Sequence, residues 1–77
     1  MKSAFELCID AKNELSSLLP GDTFVVRDLF KGYVWNKIER SVRLKVGILF
    51  FEEAKKMEKI IEIRKKNSSN QKVYRKK

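Results

Sequence analysis

The 77-residue chain has no histidine, one cysteine, one proline and three glycines. Without histidine, the usual general base near neutral pH and the commonest metal ligand are both missing. A lone cysteine, Cys8, excludes an intramolecular disulfide, and without histidine a structural zinc site lacks donors. The longest apolar run, residues 46–51, falls far short of the roughly 20 residues that span a bilayer. An acid arrives at Glu6, too early for a secretory leader. These absences lead us to expect a soluble cytoplasmic protein with no catalytic residues, no metal and no cofactor. One small domain, residues 1–77, is the ceiling for this length.

What is present is positive charge. Eighteen Lys and Arg against ten Asp and Glu leave a formal charge of +8. A surplus of this size on a small body attracts polyanions, nucleic acid before acidic membrane. It is also unevenly spread. Residues 1–58 hold ten basic and nine acidic side chains, whereas residues 59–77 hold eight basic residues and one acid, Glu62. Ile60, Ile61, Ile63, Val73 and Tyr74 are interleaved with that charge, which a merely solubilising tail has no use for.

The order of elements follows from local signals. Ser3-Ala4-Phe5-Glu6 is a capping box, and Leu7, Ala11, Leu15 and Leu18 continue at helical spacing until Pro20-Gly21, giving a helix over residues 4–18. Phe24-Val25-Val26 reads as a short strand. Residues 27–31 read as a short helix closed by Gly32 in a left-handed cap, and Tyr33-Val34-Trp35-Asn36 as an aromatic connector. Ser41 then caps a helix over residues 42–56. That helix carries two apolar stripes: Val42, Val46, Leu49 and Phe50 on one side, Leu44, Ile48 and Phe51 on the other. So small a domain covers both poorly: either helix 1 and the hairpin together cover them, or part of the second lines a pocket or meets a partner. The five phenylalanines are assigned to core or pocket, and Gly47 to a close backbone approach.

Residues 59–66 alternate partly as a strand, Asn67-Ser68-Ser69-Asn70 is turn chemistry, and residues 71–75 read as a return strand with Val73 inward and Lys72 and Tyr74 outward. A continued helix through Phe50, Ala54, Met57 and Ile61 is the rival for this stretch. Lys76 and Lys77 are expected to fray. The whole is an α+β chain in the order helix, short strand, two helices, basic β-hairpin, which is that of a winged helix-turn-helix.

Three stretches, Leu19-Pro20-Gly21-Asp22-Thr23-Phe24, Arg27-Asp28-Leu29-Phe30 and Trp35-Asn36-Lys37-Ile38, sit in a region of roughly residues 15–55 that resembles a small family once described as a domain of unknown function. Its members are encoded on staphylococcal cassette chromosomes and related bacterial mobile elements, beside replication genes. The resemblance implies a winged helix-turn-helix that binds single-stranded DNA in place of the usual OB-fold, in replication or transfer of a mobile element. It also implies replication proteins such as a helicase or polymerase as partners, and a hydrophobic pocket foreign to most winged helices.

Single-strand binding needs cations along the phosphates and flat side chains under the bases. Arg64, Lys65, Lys66, Lys72 and Arg75 in the hairpin, with Lys37, Arg40, Arg43 and Lys45 near the third helix, are the candidate phosphate contacts. Tyr33, Trp35 and Tyr74 are the candidate stacking surfaces. Trp35 could equally be core, and Arg40 could pair with Glu39 or Asp28. An exposed apolar face would let protomers touch along a strand. Two other classes stay open: a dimeric regulator reading duplex DNA, and an adaptor whose apolar groove receives a peptide.

Overall fold

A computed structural model describes residues 2–77. The first helix, α1 (Ala4–Glu14), starts on the expected capping box: the Glu6 N–H donates to Ser3 Oγ at 3.2 Å and the Ser3 N–H to Glu6 Oε1 at 3.0 Å. The Ser3 donors hold the Glu6 carboxyl below its ordinary pKa. The α-helix ends earlier than its periodicity indicates. Residues Leu15–Ser17 tighten into a 3-10 turn, with the Leu18 N–H donating to the Leu15 carbonyl. The Pro20-Gly21 turn follows, with Gly21 at φ +97°, a backbone conformation only glycine takes without strain.

Strand β1 is two residues, Thr23–Phe24, and the next turn, Val26–Leu29, is 3-10. The Val25 N–H donates to Asp28 Oδ2 at 3.0 Å, which commits Asp28 to this turn. Two expectations fail here. Gly32 closes nothing and has no positive φ; it opens a helix, α2 (Gly32–Lys37), where an aromatic connector was expected. Lys31 offers α2 no side-chain cap, and the aromatic and β-branched residues inside it are indifferent helix formers, so local signals were silent. Packing decides instead. Trp35 lies 5.2 Å from the Phe30 ring, and the Arg43 guanidinium 5.9 Å from Trp35.

Helix α3 (Arg40–Lys56) begins before Ser41, which is not its cap; Glu39 holds that place without a side-chain hydrogen bond. Ile38 and Glu39 form the extended link between α2 and α3, and Arg43 Nε donates to the Ile38 carbonyl at 2.8 Å across it. Val46, Phe50 and Ala54 are buried along one side of α3. At residue 57 the helix stops, which rules out the continued-helix alternative. Strands β2 (Ile61–Arg64) and β3 (Val73–Lys76) form the hairpin. Its turn is held by Asn67, whose Oδ1 accepts the N–H groups of Ser69 and Gln71 at 3.0 Å each, with Asn70 left-handed at φ 62°.

The sheet order is β1-β3-β2, antiparallel throughout, with β2 at an edge. Phe24 and Ile63 both pair with Tyr74, and Ile61 with Lys76. Tyr74 is therefore inward and fully buried, while Val73 shares the outer face with Arg75; the expected orientation of this strand was reversed. A slip of one residue exchanges the two faces of a strand, and the larger apolar surface of tyrosine took the inner one. The end does not fray either. The Lys76 N–H donates to the Asp22 carbonyl at 2.8 Å, its Nζ to the Leu15 carbonyl at 3.1 Å, and Lys77 is tied to Ile60 and Glu58.

The larger of two core clusters lies where α1 and α3 pack against this sheet, and Leu7, Ile38 and Val46 form the smaller. Cys8 and Ala11 from α1 and Leu15 from the turn after it meet Phe50 and Ala54 from α3 and Phe24, Ile61 and Tyr74 from the strands. Three rings join the layers. Phe24 stacks on Tyr74 at 5.6 Å, and Phe50 meets Tyr74 edge-on at 5.1 Å and Phe24 at 6.5 Å. Lys12 and Glu53 tie α1 to α3 at 2.7 Å, which lowers the Glu53 pKa and raises that of Lys12. Phe5 departs from its expected place and is exposed. With α2 and α3 joined by a short link and the hairpin beside them, the α+β arrangement is winged-helix-like. Replacing Ser3 with alanine is expected to cost about 1 kcal/mol, read as a fall in melting temperature of roughly 4–8 °C.

Candidate nucleic-acid interface

The second apolar stripe of α3 is left partly uncovered: Phe51 packs half-buried against the core, but its companions do not. Leu44 and Ile48 remain 60% and 61% exposed on the side away from Val46 and Phe50. They form one bank of a groove of about 310 Å³. Its opposite bank is the hairpin turn, through Asn70, Gln71 and Lys72, and its end wall is Trp35 with residues 25–27. Gly47 opens the floor between Leu44 and Ile48. A Cβ built there meets nothing within 4 Å, so this glycine serves an open trough and not the close approach expected of it.

Cations ring this apolar trough. Arg27, Arg43 and Lys72 all line it. Arg43 is positioned by its bond to Ile38 and its contact with Trp35. Lys72 Nζ sits 4.0 Å from the centre of the Phe51 ring, which Lys55 also approaches at 4.9 Å. Neither Arg27, Arg43 nor Lys72 makes an ion pair among the described residues.

The twelve residues singled out from the sequence divide among four places. Trp35, Arg43, Lys72 and Tyr74 are brought together by the groove. Tyr74 lies in its wall with no exposed surface, so it cannot offer a face for stacking. Tyr33 and Lys37 lie elsewhere, on a smaller apolar depression of about 240 Å³ shared with Lys2, Leu7, Ile38 and Val42. Lys37 Nζ is 6.0 Å from the exposed Tyr33 ring. Arg40 and Lys45 are exposed on α3, and Arg40 pairs with neither Glu39 nor Asp28. Arg64, Lys65, Lys66 and Arg75 belong to the hairpin; Arg64 and Arg75 share Glu62 at 3.0 and 3.6 Å, which spends part of their charge.

Sequence reasoning missed Arg27, Asn70 and Gln71 as groove residues. The Asn/Ser turn announced a reversal but not which helix it would face. Nothing local distinguished Arg27 from any other surface arginine.

Burial sets the remaining chemistry. The Cys8 thiol is enclosed, and burial raises its pKa, which disfavours the reactive thiolate. Burial likewise pushes the Tyr74 hydroxyl up to about 12. That hydroxyl has no hydrogen-bond partner among the described residues, an arrangement that costs about 1–3 kcal/mol. No three of the Cys, Asp and Glu side chains among the described residues gather into a metal-holding group. No helix among them is long and apolar enough to cross a membrane.

A family model matches residues 10–76. The chain belongs to DUF1413, a domain of unknown function. The DUF1413 match takes in both banks of the groove and all three strands, and leaves out the capping box of α1. No curated protein and no solved structure matches the chain.

Tyr74 also governs alkaline behaviour. Its raised folded-state pKa means that the unfolded chain loses this proton near pH 10 while the folded chain keeps it to about 12. Its contribution is therefore intact below pH 10 and declines as pH climbs to 12, by up to about 1.4 kcal/mol per unit. Denaturant titrations across this window should show a steeper loss for the wild type than for Tyr74→Phe.

Proposed function

We propose that this DUF1413 chain binds single-stranded DNA, largely without sequence preference and without catalysis, through the groove between α3 and the hairpin turn. The supporting observation is an uncovered apolar trough with Trp35 at its end and Arg27, Arg43 and Lys72 around it. Bases that leave the stack need an apolar surface, and their phosphates need cations at its edge. The overall charge of +8 adds long-range attraction. The resemblance to the single-strand-binding family of staphylococcal cassette chromosomes favours the same reading, with service in replication or transfer of a mobile element and a helicase or polymerase as working partners. The enclosed thiol and the lack of histidine favour a binding role over an enzymatic one.

Duplex reading fits α3 less well. A recognition helix presents polar side chains to base edges in the major groove, whereas the exposed middle of α3 is Leu44, Lys45 and Ile48, one cation between two apolar residues, followed by Glu52. Self-association along a strand would draw on the same exposed apolar residues.

Fluorescence anisotropy with labelled oligothymidine tests the reading. The logarithm of affinity should fall with that of salt by about 0.7 per phosphate neutralised, hence near 2.8 for four. A duplex of equal length should bind more weakly. Gly47→Leu, whose side chain enters open space, should melt higher than the wild type, since leucine is the better helix former, and lose about tenfold in affinity, one base contact's worth. Equal binding of duplex and single strand, or an unaffected Gly47→Leu, would reduce the protein to a general polyanion binder.

A further inference from the structure

Tyr74 combines two properties that packing alone does not explain. It is fully buried, with rings of Phe24 and Phe50 against it, yet it lines the groove, and its hydroxyl is the buried side-chain polar atom left without a partner among the described residues. Phenylalanine would make the same ring contacts without leaving a polar atom orphaned. Buried hydroxyls in folded proteins nearly always have a partner, so an orphan in a groove wall points to a partner that arrives from outside.

We propose that the groove holds one unstacked nucleobase and that the Tyr74 hydroxyl donates a hydrogen bond to a keto oxygen of that base. The inference rests on the single-strand reading above and assigns its specificity contact. Burial keeps the phenol protonated, so the hydroxyl serves as a donor throughout the neutral range. Trp35, Leu44 and Ile48 supply the apolar surface that a base face needs, and Arg43 and Lys72 stand where flanking phosphates would pass. The same charge pattern disfavours an apolar peptide as occupant, since that ligand would leave the cations unmatched. The hydroxyl is closed to water in the free chain, so engagement takes a small outward movement of the groove wall.

The test compares wild type with Tyr74→Phe on two probes of equal length: oligothymidine, and the same strand with abasic positions throughout. Wild type should prefer oligothymidine by about tenfold. Tyr74→Phe should keep its affinity for the abasic strand, lose about three- to tenfold on oligothymidine, and melt about 4–8 °C higher because the orphaned group is gone. Unchanged affinity for both probes would overturn the proposal, as would an equal loss on both, which marks a structural role. If wild type retains neither probe, the single-strand reading itself fails, a result distinct from either. As a second readout, titration with thymidine oligonucleotide should move the Tyr74 hydroxyl proton downfield in the NMR spectrum of the wild type, a resonance that Tyr74→Phe lacks; an unmoved resonance at saturation would also overturn the assignment.

Discussion

The meeting of Tyr74 with Phe24 and Phe50 is the contact on which the remaining architecture depends. Strand β1 has two residues and the other two strands four each, too few backbone hydrogen bonds to stand alone in water. The sheet exists because β3, its centre, presents a large ring that β1 covers from beside and α3 from below. Aromatic pairs in these geometries contribute beyond their buried area. The joint also fixes how far the hairpin turn stands from α3, and hence the width of the groove between them.

That groove is the other side of a packing shortage. Helix α3 is apolar on opposite faces, and a chain this short has little interior with which to cover them. Val46, Phe50 and Ala54 take the core; Leu44 and Ile48 are left outside. A wholly structural helix would carry polar residues there. Gly47, in the middle of the exposed stripe, reinforces the point. It weakens helix α3 by about 1 kcal/mol relative to alanine, and the space above it is open. Stability is thus conceded where the surface is concave and apolar.

Much of the fold was legible in the residues. The Ser3–Glu6 box, the doubled face of α3 and the Asn67-centred turn are local signals, and each has the expected structural counterpart. What was not legible depends on contacts between distant residues. Helix α2 has no cap and poor formers, and is held by Phe30 and Arg43. The inward turn of Tyr74 depends on pairing with Phe24, fifty positions away. Of the candidate site, Trp35, Arg43 and Lys72 converge, while Tyr33 and Lys37 belong to another depression. Arg27 joins the groove because the 3-10 turn at Val26–Leu29 carries it there. Residue type identified the chemistry, but only tertiary geometry could decide which side chains share a surface.

The edge position of β2 has its own consequence. One flank of this strand offers bare amide and carbonyl groups to any extended segment that drifts alongside, another copy included. Glu62, ion-paired with Arg64 and Arg75, and the neighbouring exposed Lys65 and Lys66 put dense charge beside that flank. Such a fringe discourages strand-to-strand accretion, so the cationic hairpin also acts as a guard against fibril-like growth.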